Sequence, residues 1–227
     1  MSDIFPTFQT TLERIKLAVS NCGRTPGAVR LLAVSKKQPI DKIRQLHTQG
    51  QQAFGESYLQ EALVKMAELS DLSIEWHFIG PIQSNKSRKI AEHFDWVQSV
   101  DSIKLLRRLS AQRPVGKPPL NILLQVNIDE EAQKRGIPAA ETRVLAEQAM
   151  TFPGLKLRGL MAIPDPGNDP QGQRRSMEKM AGLFAGIQPL SEHIDTLSLG
   201  MSADIETAIT AGSTMVRVGT ALFGPRN

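Results

Sequence analysis

Lys36 follows an apolar run, residues 31–34, in the stretch "RLLAVSKKQP". A lysine aimed from the end of a buried strand is either a solvated rim residue or a nucleophilic amine held in a pocket. A free lysine amine, with a pKa of about 10.4, is a poor nucleophile at neutral pH. Desolvation lowers that value, and so does a neighbouring cation such as Lys37 or Arg217. Such an amine can condense with an aldehyde to a Schiff base. Lys36 alone is more often a rim residue, so the reading depends on what stands opposite it.

Two later stretches supply groups suited to an anion. "LGMSADIE" places Gly200, Met201 and then Ser202, a natural N-cap, before a helix. A capped helix start offers free N–H groups and the positive end of the helix dipole. "RVGTALFG" brings Arg217, then Gly219, which permits close backbone approach, then Thr220, whose hydroxyl can donate. Each motif alone reads as an ordinary cap or turn. Together, after the last two apolar runs, they read equally well as a phosphate cradle.

Elements must bring these groups to one place. Apolar runs fall at residues 31–35, 52–55, 75–80, 96–100, 120–127, 155–163, 196–201 and 215–220. Helical patterns at 41–48, 58–69, 85–93, 102–113, 139–152, 174–187 and 203–211 separate them, and an extra amphipathic helix at 3–21 precedes them. Gly50, Gly154 and Gly212 sit where helices should stop. Strands alternating with helices give a parallel sheet, and eight such units close into a (β/α)8 barrel spanning 1–227 as one domain. A doubly wound open sheet is the alternative. In a barrel, the ends of the strands line the active face. That face gathers Lys36, His77, Asn85, Asn127, Met161, Gly200, Met201, Ser202, Arg217, Gly219 and Thr220. Residues 163–172 form the one long loop, expected as a rim or lid segment.

Other candidates read more plainly. His77 in "WHFIG" is expected as a satisfied core residue. Glu56 is a candidate base, though a rim salt bridge is the more ordinary reading. Residues 127–136 carry acids and bases at no metal spacing. The net charge is +4 with a pI near 9.3, and the charges are scattered. With one tyrosine and two tryptophans, a stacking platform for single-stranded nucleic acid is not expected. The single cysteine, Cys22, forms no internal disulfide and suits a reducing cytoplasm. No secretory leader and no membrane-spanning run are read.

The chain resembles the pyridoxal phosphate homeostasis proteins. The stretches that carry the resemblance are "LLAVSKKQP", "AFGESYLQEALVK", "WHFIGPIQSNKSR", "GLMAIP" and "LSLGMSADIETAITAGSTMVRVGTALFG", which together run over nearly the whole length. That family's barrel is similar to the cofactor domain of bacterial alanine racemase, of fold type III. The resemblance implies that Lys36 carries pyridoxal 5′-phosphate (PLP) as a Schiff base. It implies that Ser202, Gly219 and Thr220 hold the phosphate, that Met201 also binds the cofactor, and that Arg217 faces the pyridine nitrogen. It also implies a non-catalytic carrier that buffers PLP within vitamin B6 balance and passes it to apo-enzymes. Ser57 stands where the family usually has asparagine, Lys37 and Gln38 replace a Thr-Lys pair, and Arg135 follows Lys134 where serine is common. Two other functions compete. A PLP-dependent amino-acid racemase needs a second base, and a sugar-phosphate aldolase would use the same lysine without cofactor. A monomer is expected, with neither nucleic acid nor membrane as partner.

Overall fold

A computed structural model of the protein describes residues 4–224 except 132, 166 and 168. The chain begins with helix α1 (Phe5–Asn21), whose Pro6 suits a first turn that needs no N–H. Next come β1 (Arg30–Val34), α2 (Ile40–Thr48), β2 (Ala53–Glu56), α3 (Leu59–Glu68) and β3 (Glu75–Phe78). A 3-10 turn (Ser84–Lys86) leads into α4 (Ser87–His93), then β4 (Trp96–Val100), α5 (Ile103–Gln112) and β5 (Leu120–Asn127). A two-residue strand, β6 (Ile137–Pro138), and a 3-10 turn (Ala139–Glu141) precede α6 (Thr142–Ala149) and β7 (Leu155–Met161). The chain closes with α7 (Pro170–Ile187), β8 (Thr196–Ser198), α8 (Ile205–Thr210), β9 (Met215–Val218) and α9 (Thr220–Phe223).

Eight strands are all parallel and join in the order β4-β3-β2-β1-β9-β8-β7-β5, and a further β4–β5 pairing closes them into a barrel. The expected (β/α)8 architecture is therefore the observed one, with α1 as the extra N-terminal helix. The ninth strand, β6, was not foreseen. It pairs only with the last two residues of β5 and lies outside the barrel wall. Two isolated ladder positions carry too little pattern to be seen in a sequence.

The strands are apolar throughout because both faces are covered. Their outer faces meet the helices in one large core that includes Phe54, Phe78, Val97, Ile122, Leu160 and Leu197. The interior is different. It holds two small apolar groups, Leu32 with Ala53 and Met215, and Trp96 with Leu123 and Met161. Between and above them lie fully buried polar side chains, His77, Gln98 and Ser198.

Helix starts follow local chemistry in part. Ser102 caps α5 by accepting the Leu105 N–H at 3.4 Å. Asp169 caps α7 by accepting the Gly172 N–H, with Pro170 at the first helical position. This places Pro170 to Gly172 in α7, so the long loop is shorter than expected. Two residues of its span, 166 and 168, lie outside the described residues, as does residue 3 of the first expected helix. Gly50 and Gly212 take φ +93° and +107° just past the caps of α2 and α8, as left-handed helix stops require. Gly154, at φ +77°, lies beyond the end of α6 in the turn that leads into β7.

Candidate functional site

Ser35 to Gln38 form a tight turn at the end of β1, closed by the Gln38 N–H on Ser35 O at 3.0 Å. The turn needs a left-handed residue, and Lys37 takes it at φ +58°. The Lys37 N–H donates to Glu61 Oε1 at 2.6 Å. Lys65 on α3 props the same turn from behind. Its ammonium donates to Ser35 O at 2.7 Å, Glu56 Oε1 at 2.8 Å and Glu61 Oε1 at 2.6 Å. The Ser35 hydroxyl also donates to Glu56 Oε1, at 2.6 Å.

Glu56 is thus neither a base in the mouth nor a rim salt bridge. It is fully buried between β2 and α3 and paired with Lys65. Burial pushes its carboxyl above the usual range, against the pull of the Lys65 charge and hydrogen bond. Sequence reading missed Lys65. The signal was present, since Glu61 and Lys65 stand one helical turn apart behind a Gly-Glu strand end.

Lys36, half-buried, lines a cavity of about 260 Å³ at the C-terminal mouth of the barrel. Val34, Ile79, Met161, Ile163, Met201, Ser202, Ala203, Arg217 and Thr220 complete its wall. Five of the six expected cofactor residues therefore share one cavity. The sixth, Gly219, lies beside Val34 one residue before Thr220. A Cβ built on it would meet only ordinary contact with Val34, at 3.5 Å. Neighbouring protein atoms do not require glycine there.

Ser202 does not cap α8, as its type suggested. The cap position belongs to Asp204, whose carboxylate accepts the Met201 N–H. Ser202 instead accepts the Ala221 N–H at 3.2 Å, tying the two last loops together. Its carbonyl accepts from Arg14 of α1 at 3.2 Å, a link that nothing in the sequence pattern suggested. Arg14 also pairs with Glu206, so the N-terminal helix braces the start of α8. Gly200 is the glycine that packing demands. It takes φ +92°, and a Cβ would come within 2.5 Å of Ala208 Cβ.

Arg217 rises from β9 into the floor of the cavity. Nη1 donates to Ser198 O at 2.7 Å and to Ser198 Oγ at 2.8 Å, and Nη2 donates to Ala162 O at 2.9 Å. Burial lowers its pKa to about 10, partly offset by Asp204, so the guanidinium keeps its charge at neutral pH.

Other expected residues fall elsewhere. Met161 lines the cavity, and Ile163, at the start of the long loop, hangs over it. Asn85 is exposed on the 3-10 turn after β3. Asn127 spends its amide on Glu131 and Lys134 carbonyls. His77 is the satisfied core residue expected, bonded to Glu75 and Gln98 and stacked on Trp96 at 5.0 Å. Lys134 pairs with Glu131 and Asp165. Among the described residues, no three acidic, histidine or cysteine groups cluster as a metal site.

A parallel eight-stranded barrel with a lysine after its first strand and an arginine on its last defines the class. The family described as "Alanine racemase, N-terminal domain" matches residues 12–227. Within that class, the chain is 51% identical to the pyridoxal phosphate homeostasis protein of Pseudomonas aeruginosa over 227 residues, covering all of this chain and 97% of the other. It is 49% identical to the protein of that name from Escherichia coli K12, over 230 residues that cover 100% and 98% of the two chains. PipY of Synechococcus elongatus PCC7942, in a structure with PLP bound, superposes with a TM-score of 0.79. It is 37% identical, and the match covers 92% of this chain and all of that one. The chain belongs to the pyridoxal phosphate homeostasis protein family.

Proposed function

We propose that this protein binds PLP in the barrel-mouth cavity and takes part in PLP homeostasis as a holder of the cofactor, without catalysis of its own. The observation that carries the reading is the meeting of Lys36, Met201, Ser202, Arg217 and Thr220 in one small cavity. The donor set fits the group. An amine stands at one side, two hydroxyls and the 200–203 backbone at another, and a guanidinium lies beneath. Gly219 supports the fit, since a ligand approaching the backbone accounts for a glycine that protein contacts do not demand.

Lys36 would be the amine that holds PLP, whose aldehyde supplies carbonyl chemistry when bound. Ser202, Thr220 and the N–H groups around Gly219 would hold the phosphate. Arg217 would face the ring nitrogen. Arginine has only donors, and this one stays charged, so it can bond a ring nitrogen but cannot keep a proton on it. A ring left unprotonated is a weak electron sink, which favours holding over carbanion chemistry.

The cavity wall also argues against racemisation. Among the described lining residues, Lys36 and Arg217 are the only ionisable ones. Tyr58 is exposed beside Lys37, and Cys22 contacts Thr210 at the end of α1. Those described lining residues include no second base, and two-base racemisation needs one. Apo-enzymes as recipients, action as a monomer and a cytoplasmic setting complete the proposal. The large exposed apolar side chains, such as Leu17, Val64 and Val144, lie on separate helices rather than in one stripe. No described helix is long and apolar enough to cross a membrane.

The test is the visible spectrum of the purified protein after PLP addition, before and after borohydride. A band that borohydride fixes as added mass on Lys36, and that Lys36→Ala lacks, is the expected result. A protein that takes up no PLP overturns the reading. Turnover of a chiral amino acid by the loaded protein would overturn the non-catalytic part alone.

A further inference from the structure

Beneath the cavity, a chain of hydrogen bonds crosses the barrel interior from Arg217 to the opposite face. Arg217 Nη1 bonds Ser198 Oγ at 2.8 Å, and Ser198 Oγ bonds Gln98 Oε1 at 2.8 Å. Gln98 Nε2 bonds His77 Nδ1 at 3.0 Å, and His77 Nε2 bonds Glu75 Oε1 at 2.7 Å. Arg30 Nη2 also reaches Glu75 Oε1, at 2.7 Å. Ser198, Gln98 and His77 have no solvent exposure, so these groups depend on one another for partners.

Donor chemistry fixes the direction of every link. Arginine cannot accept, so Ser198 Oγ accepts from it, and the buried hydroxyl gives its one proton to its other partner, Gln98 Oε1. The Gln98 carboxamide then has its NH2 toward His77, whose Nδ1 must accept. The imidazole proton is left on Nε2, pointing at Glu75. Gln98 is the link that converts the histidine's orientation into the serine's.

We propose that Gln98 is a positioning residue for Arg217. By holding the Ser198 hydroxyl as an acceptor, it sets the direction in which the remaining guanidinium N–H groups enter the cofactor cavity. This rests on PLP occupying that cavity. Gln98 itself does not line the cavity, so it acts on the ligand only through Ser198 and Arg217.

The experiment is a double-mutant cycle on PLP affinity and on the position of the bound-PLP absorption band. Its variants are Gln98→Leu, Arg217→Met and the pair combined, with Tm as a check on folding. Loss of one buried hydrogen bond corresponds to roughly a five-fold rise in Kd for Gln98→Leu. A displaced band is expected with it. In the Arg217→Met background, the same change should alter Kd by less than about two-fold, because the residue it acts through is gone. Ser198→Ala, run through the same cycle, tests the link if Gln98→Leu does not fold. Equal effects in both backgrounds, or an unshifted band with unchanged Kd, would overturn the positioning role. Failure of the wild-type protein to bind PLP would instead overturn the cofactor reading on which the role rests.

Discussion

Gly200 and Gly219 flank the same cavity, yet the fold constrains them differently. At Gly200, a side chain is opposed twice, by φ +92° and by Ala208 Cβ at 2.5 Å from the new Cβ. Gly200→Ala should cost about 1–3 kcal/mol of stability, read as a lower urea midpoint with unchanged slope. Gly219→Ala meets only Val34 at 3.5 Å and has an ordinary φ of −117°. Its stability should stay within about 0.5 kcal/mol of wild type, while PLP affinity falls if the backbone there meets the phosphate. A Gly219→Ala variant that binds PLP as well as wild type would remove this residue from the cradle. Residue types and strand order, with the family resemblance, pointed to the cavity wall, since five of the six expected cofactor residues line it. They failed at Ser202, because a serine before a helix looks like a cap and only the fold shows Asp204 taking that place.

At the level of elements, the turn carrying Lys36 is held by the packing of α3 against β2. The Lys65 ammonium joins the carbonyl of Ser35 to two carboxylates, one of them fully buried. Glu56 Oε2 has no hydrogen-bond partner among the described residues, so this carboxylate depends on Lys65 for its compensation. Lys65→Met should cost about 3 kcal/mol or more at pH 8, where Glu56 would have to stay charged or take up a proton. The loss should be smaller at pH 5. Glu56 already has a raised pKa, and a carboxyl that prefers its proton in the folded state is destabilising as pH rises through that pKa. Adding Glu56→Gln should restore part of the stability at pH 8, measured by urea unfolding. If the Lys65→Met loss is the same at both pH values, the buried carboxylate is not what Lys65 compensates. The strands and helices themselves were legible because both periods were strong and the barrel fixes their order. Their ends ran past the observed ones at β3, β7, β8 and β9, where apolar residues such as Leu199 continue inward after the ladder stops. Of the ion cluster only the Glu61–Lys65 spacing was legible, since nothing local says that a strand-end glutamate points outward under a helix.

Across the whole molecule, the two faces of the barrel carry opposite kinds of work. The C-terminal mouth gathers Lys36, Ser202, Arg217 and Thr220 around one cavity. The N-terminal face closes on itself with the Arg30–Glu75 and Arg158–Asp195 pairs and with Arg158 over the Trp96 ring at 4.6 Å. The Glu75–His77 pair at that face has a pH signature. Burial alone would raise the Glu75 carboxyl, but the His77 hydrogen bond and the Arg30 charge outweigh it and hold the pKa at about 2. Full burial pushes the His77 pKa below its ordinary value, against the pull of the Glu75 carboxylate. A carboxyl with a depressed folded pKa stabilises the fold above its ordinary value and loses that contribution as pH falls toward the folded one. Glu75 should therefore stabilise the barrel above about pH 4.5 and lose that contribution between there and about pH 2. Glu75→Gln can still accept from His77 and keeps the relay's last link, but it does not titrate. Its stability should lie below that of wild type at pH 7, and the gap should narrow as pH is lowered through that window. Urea midpoints at pH 7, 4 and 3 measure it. A gap that does not change with pH would mean that the Glu75 charge is not held by the fold, and that Arg30 and His77 owe their places to packing alone.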